Sequence, residues 1–312
     1  MEISILLMKQ IIQLFIMIFF GFLLARLNII TSEESKTISK LSTFVICPCA
    51  IFSSFVMSFS QEIMKGLLIA FLGAIIVHII FIPLTEIVSK VFQLHTVEKA
   101  TLVYSNAGNL IIPLVGAILG EEWVIYTCGY VAVQTFLIWT HGKSTICGEK
   151  SISFKEILTS INIWAIVLGM AVFFLRIPVP TLLANTLDKV GSMLGPQAMI
   201  IIGILIGNAD IKEILKDKRS YVICFGRLVV YPLIIIVAFY LLHLSSLSNE
   251  AAQVLLITIL ATSAPAAANI IQIAQIYNQD SKYASSLNVI SVLFSIITMP
   301  LMVYIYQLVV IR

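Results

Sequence analysis

Apolar runs of about twenty residues, the length that crosses a lipid hydrocarbon layer as a helix, follow one another along almost the whole chain, and no soluble fold can absorb that pattern. Ten can be cut at the clusters of charge and turn residues: Ile5 to Leu27, Ile38 to Phe59, Met64 to Phe92, Lys99 to Leu119, Trp123 to Thr140, Ile157 to Leu175, Leu187 to Gly207, Tyr221 to Leu242, Ala251 to Tyr277 and Ala284 to Val310. Of the 312 residues 60% are hydrophobic and 11% charged, against roughly a quarter charged in a soluble domain. Lipid must therefore be the solvent for most of the chain, and an all-α polytopic membrane protein with ten transmembrane helices is expected. The first run is too long for a signal-peptide apolar region and no A-x-A site follows it, so it is expected to be retained.

The sparse charge reports orientation. Cytoplasmic connections collect Lys and Arg; on alternate connections 13 fall on one side (Arg26, Lys36, Lys40, Lys90, Lys99, Lys143, Lys150, Lys155, Lys212, Lys216, Lys218, Arg219, Lys282) and 5 on the other (Lys9, Lys65, Arg176, Lys189, Arg312). An even number of spans then leaves both termini outside a cytoplasmic membrane. A net charge of +3 gives no reason to expect nucleic acid. Four of the five cysteines lie in apolar runs, and the close pair Cys47 and Cys49 flanks Pro48 with no histidine nearby, so neither a disulfide framework nor a zinc site is expected. Gly142-Lys143-Ser144-Thr145 ends like a phosphate-binding loop, but Leu137 stands where its first glycine belongs. No cofactor is expected, and with no G-x-S-x-G elbow or H-x-x-x-x-D pair no enzyme.

The two halves correspond weakly. Pro48 pairs with Pro196 at a spacing of 148, Pro83 with Pro232 at 149, and Pro113 with Pro265 at 152, the spacing that also relates Glu98 to Glu250. The expected organisation is a first five-helix repeat over 1–141, a short cytoplasmic linker over 142–156 and a second repeat over 157–312. Five spans per repeat is odd, so the second copy is inverted, an arrangement found in transporters.

Within the fourth run Asn106-Ala107-Gly108-Asn109 precedes Pro113, and within the ninth Ser263-Ala264-Pro265 leads to Asn269. Proline lacks an N–H and clashes with the preceding turn, so both helices are expected to break. Broken backbone at membrane depth must be buried in protein or line an aqueous cavity, and half-helix N-termini meeting there suit an anionic group.

These stretches carry a resemblance. Ser105 to Val115 (SNAGNLIIPLV), with Gly120 to Tyr126 (GEEWVIY) and Trp139-Thr140-His141-Gly142, resembles bacterial members of the auxin efflux carrier family, and Ser263-Ala264-Pro265, Tyr277 to Asp280 and Ile296 to Leu301 (IITMPL) are similar to its C-terminal pattern. The resemblance implies two inverted five-helix repeats, a scaffold from the first two helices of each, a transport domain from the last three, and a substrate site where broken helices four and nine cross. It implies small organic anions, malonate- or auxin-like, as substrates, and nominates Asn106, Asn109, Pro113, Pro265 and Asn269 as site residues. Ile163 follows Asn162 where the family commonly has proline, and the linker is too short for the regulatory loop of the plant proteins.

Arg227 is the one Arg or Lys well inside a run. It either meets a substrate carboxylate or snorkels to the inner interface. His78 is placed for proton coupling or for an interhelical hydrogen bond. Asn288, Ser291, Ser295 and Thr298 recur near helical spacing, facing a pathway or bonding between helices. The pairs Gly191 with Gly195, Gly203 with Gly207 and Gly116 with Gly120 permit close helix approach, within the chain or in a homodimer through the scaffold helices. The expected function is an alternating-access carrier of small organic anions. The alternatives are a sodium-coupled symporter of the bile-acid type and a membrane receptor without flux.

Overall fold

The computed structural model describes residues 13, 16–57, 60–148, 159, 161–208 and 216–310. Among them the regular structure is helical, and the only strand-like pairing is an isolated bridge. The helices are α1 (Ile16–Arg26), α2 (Glu33–Ser54), α3 (Gln61–Phe92), α4 (Thr96–Val103), α5 (Ile112–Leu119), α6 (Glu121–Cys147), α7 (Ile161–Leu175), α8 (Thr181–Asn208), α9 (Lys218–Leu241), α10 (Ala251–Ser263), α11 (Ala268–Ile276) and α12 (Ser281–Val310). Six of these, α2, α3, α6, α8, α9 and α12, are long and apolar enough to cross a membrane. Residues 1–12 and 151–158, where the expected first and sixth runs begin, lie outside the described residues.

Prolines shape these helices in a repeated way. Pro48, Pro113 and Pro232 each follow a π-helical turn, over Ser42–Ile46, Ala107–Ile111 and Gly226–Val230, and each sits in the first turn of the α-helical stretch beyond it. A proline cannot donate to the carbonyl four residues back and its ring presses on that carbonyl; the wider π turn accommodates both constraints without ending the helix. Pro83 and Pro300 lie inside uninterrupted helices.

The chain divides into two compact units. The first comprises Met1–Ser60, Gly108–Cys128 and Ser160–Ile214. Its packing rests on absent side chains, as expected where lipid removes the hydrophobic drive between helices and close approach replaces it. A Cβ on Gly203 would lie 1.9 Å from the Ile18 carbonyl oxygen, and one on Gly21 would lie 2.0 Å from that of Ile200. Gly207 is similarly closed by Ala25, Gly191 by Ala50 and Gly195 by Pro113. The small-residue pairs of α8 are thus occupied by contacts within the unit.

The second unit comprises Gln61–Ala107, Gly129–Thr159 and Leu215–Arg312. Gly73 of α3 faces Thr258 and Leu255 of α10, and most of α10 is enclosed. One end of the unit is tied by Glu98, whose side chain is fully buried. It accepts from the His95 N–H at 2.7 Å, from Arg219 Nη2 at 2.7 Å and from Tyr283 Oη at 2.8 Å, joining α4, α9 and α12. Burial raises the Glu98 carboxyl, but the Arg219, His95 and Tyr283 hydrogen bonds outweigh it and hold the pKa below the ordinary 4.5. A carboxylate depressed in the folded state contributes stability that is present above its unfolded pKa and is lost as pH falls through the folded one. Thermal stability of the purified protein is therefore expected to fall below pH 4.5, and Glu98→Gln to lower stability at pH 7 while flattening that acid limb; an acid limb unchanged in the variant would refute the assignment.

Candidate functional site: a clamped crossing of two broken helices

α4 ends at Tyr104 (φ −106°, ψ 130°) and α10 at Ala264 (φ −67°, ψ 155°), both extended. Ser105 and Ala266 then pair in an antiparallel bridge, with Asn106 N–H donating to the Pro265 carbonyl at 2.8 Å and Ala267 N–H to the Tyr104 carbonyl at 3.1 Å. Without water, each backbone group freed by such a break needs a partner from the protein. Side chains from α6 and α12 complete the set. Gln134 accepts the Ser105 N–H and hydroxyl through Oε1, both at 2.9 Å, and donates Nε2 to the Ser105 carbonyl at 2.7 Å. On the other chain segment, Ser291 Oγ accepts the Ala266 N–H at 3.0 Å, and Asn288 Nδ2 donates to the Ala266 carbonyl at 2.7 Å. The chain resumes as α11 from Ala268, where the Ile270 N–H closes the first turn on the Ala267 carbonyl at 3.2 Å.

Of the residues expected at a site, Asn106, Pro265, Asn269, Asn288, Arg227 and His78 belong to the second unit, and Asn109 and Pro113 to the first. Asn106 and Asn269 are half-buried on either side of the crossing, and Pro265 is within it. The break in the fourth run does not fall at its proline. The extended residues precede Pro113 by several positions, and Pro113 instead starts α5 after the π turn that carries Asn109; the Asn109 side chain lies outside the described set. In the first unit Pro113 lines a cavity of about 600 Å³ that also holds Ser54, Glu121, Glu122 and Asp188. Asn288 and Ser291 hold the crossing; Ser295 instead bonds the Val292 carbonyl of its own helix and Thr298 that of Phe294. Gln134 was not singled out from sequence although two signals pointed to it: it is an amide within an apolar run, and it stands 154 positions before Asn288, close to the repeat spacing.

Beside the crossing lies a second buried polar group. Arg227, in the π turn of α9, is completely enclosed and so does not snorkel. Its Nε, Nη1 and Nη2 have no hydrogen-bond partner among the described residues. Tyr130, Tyr231, Cys224 and His78 are its ionisable neighbours. The Tyr130 hydroxyl faces Ser105 of the crossing without closing a hydrogen bond. His78 Nδ1 is 2.8 Å from the Ala74 carbonyl oxygen, which fixes the proton on Nδ1 and leaves Nε2 unpartnered. Its ring centroid is 5.5 Å from that of Tyr130 and 6.2 Å from that of Tyr104.

With helices as the only regular structure among the described residues, six of them long and apolar enough to cross a membrane, and with two shorter helices that break and cross on side-chain amides, the chain is a polytopic membrane protein built as transporters are. Comparison with known families narrows this. The family described as membrane transport protein, the auxin efflux carrier family, matches over residues 6–152 and 150–303. The chain belongs to that family, whose members are transporters rather than enzymes. No curated protein matches the chain.

Proposed function

We propose that the protein carries small organic anions, carboxylates of malonate- or auxin-like kind, across the cytoplasmic membrane by alternating access. In this reading the chain makes ten spans in two inverted five-helix repeats with both termini outside, and the broken-helix domain moves against a scaffold that also forms a homodimer. The observation that carries it is the crossing itself. Two extended segments are stabilised at membrane depth by five side-chain bonds from Gln134, Ser291 and Asn288, and a chain with no use for an open backbone there would continue both helices at lower cost. Asn106, Asn109, Pro113, Pro265, Asn269 and Asn288 form the substrate site, Arg227 meets the anionic charge, and His78 is the candidate proton carrier.

Uptake of radiolabelled malonate and indole acetate into proteoliposomes tests this. Asn109→Ala is expected to reduce uptake at least about tenfold, the cost of losing one hydrogen bond to a charged group; equal flux in variant and wild type would sink the site assignment. Imposed proton and sodium gradients in the same vesicles decide the coupling. A pH gradient should stimulate wild type and not His78→Gln, and stimulation by sodium alone would favour the bile-acid type of symport.

A further inference from the structure

Arginine does not give up its proton inside proteins, so Arg227 is an enclosed positive charge with three unpartnered nitrogens. Among the described residues, no carboxylate is among the groups that act on it; they are two phenols, a thiol and a histidine. A buried ion in that condition is unstable unless something compensates it. The other cations near the end of the unit have acids of their own: Arg219 is held by Glu98 and Lys99 by Glu86. The unfilled polar atoms are also grouped. Tyr130 Oη, which faces Ser105, and His78 Nε2 close no hydrogen bond among the described residues, their rings stand 5.5 Å apart, and both feel the Arg227 charge. The guanidinium supplies the single positive charge and its own donors, and the Tyr130 phenol adds one more donor beside it.

We propose that the second unit holds a buried anion site at Arg227 and Tyr130 that takes one singly charged, hydrogen-bond-accepting group, either a carboxylate head or a halide. This deepens the carrier reading and rests on it only for the carboxylate source, since a resident inorganic anion would satisfy the same charge in a protein of any function. One guanidinium compensates one negative charge, so a dicarboxylate presents only one of its two groups here. His78, whose proton is held on Nδ1 by the Ala74 carbonyl, has only a lone pair at Nε2 and so supplies no donor to the anion. The phenol selects for an acceptor, which large weakly hydrated anions without a localised lone pair do not offer.

The test is thermal unfolding of the purified full chain in detergent at constant ionic strength and pH 7, replacing sulfate, a doubly charged anion that one guanidinium does not compensate, by chloride in one series and by acetate in another. Wild type is expected to gain Tm with the logarithm of the effective anion's concentration, as a ligand of the folded state must. A response to chloride alone assigns a resident halide, and a response to acetate, or acetate displacing chloride, assigns the carboxylate head. Arg227→Met, which keeps the volume and removes the charge, should fold and show no anion response; burial of a well-packed apolar residue in place of an ion is commonly neutral or stabilising. Tyr130→Phe should keep the response at about tenfold weaker affinity, and it carries the test if the arginine variant does not fold. A wild type indifferent to both anions, an Arg227→Met protein that responds like wild type, or an unchanged affinity in Tyr130→Phe would each overturn the site. Loss of carboxylate uptake in vesicles with an intact Arg227-dependent anion response would instead refute the carrier reading and leave the site standing.

Discussion

Gln134→Leu is expected to lower carboxylate uptake into proteoliposomes by at least about tenfold and to destabilise the protein by about 2–4 kcal/mol. The reasoning turns on which groups lose a partner. Interhelical side-chain bonds in membrane proteins average only about 0.6 kcal/mol on deletion, because a helix that separates from its neighbour finds other partners. Gln134 is different, because it bonds a backbone N–H and C=O that the break in the chain at Ser105 has removed from any helix ladder. Neither group has an intrahelical alternative while the crossing persists, so each bears the full cost of an orphaned buried polar group, about 1–3 kcal/mol. Asn288→Leu removes a single bond, to the Ala266 carbonyl, and is expected to cost less. Because both clamps support one bridge, the double variant should depart from additivity. Uptake and Tm measured on the four proteins check this; a Gln134→Leu protein with wild-type flux and stability would show that the crossing does not depend on its clamp.

Much of the membrane architecture was legible because lipid leaves few ways to place charge. The long apolar helices α3, α9 and α12 fall where the hydropathy pattern puts them, with ends within a few residues, while α6 runs on to Cys147, seven residues past the expected Thr140. The broken segments were legible from the amides beside Pro113 and from Pro265, but proline marked the break directly only in the ninth run. Around Pro113 the backbone absorbs the missing donor with a π turn, and the break forms earlier, where Ser105 finds Gln134. Nothing local to residues 104–106 announces this; the partner is 29 positions away. Arg227 could be found from sequence as a cation in an apolar run, yet its choice between the interface and the interior depends on the π turn Gly226–Val230 that carries it and on the packing that leaves it fully buried. Likewise, spacing identified Gly191, Gly195, Gly203 and Gly207 as close-packing residues, but only the fold says that α1, α2 and Pro113 fill those places.

That last point yields the second large effect. Gly203→Val is expected to abolish a stably folded protein or to destabilise it by about 3 kcal/mol or more, whereas Gly108→Ala, whose Cβ would meet nothing within 4 Å, should express and melt like wild type. At Gly203 the Cβ would stand 1.9 Å from the Ile18 carbonyl oxygen and 2.7 Å from the Phe22 nitrogen. Both obstacles are backbone, so no rotamer change relieves them and α1 must move away from α8. Gly21 fails reciprocally against the Ile200 carbonyl, so the separation costs the close backbone contacts on both sides of the crossing, the attraction that holds helices together when the surrounding lipid is as apolar as their side chains. Gly203→Ala measures the threshold, since its single methyl already enters the forbidden distance. Size-exclusion profiles and Tm in detergent read the result, and a monodisperse Gly203→Val protein melting with wild type would mean that α1 and α8 do not meet at this glycine.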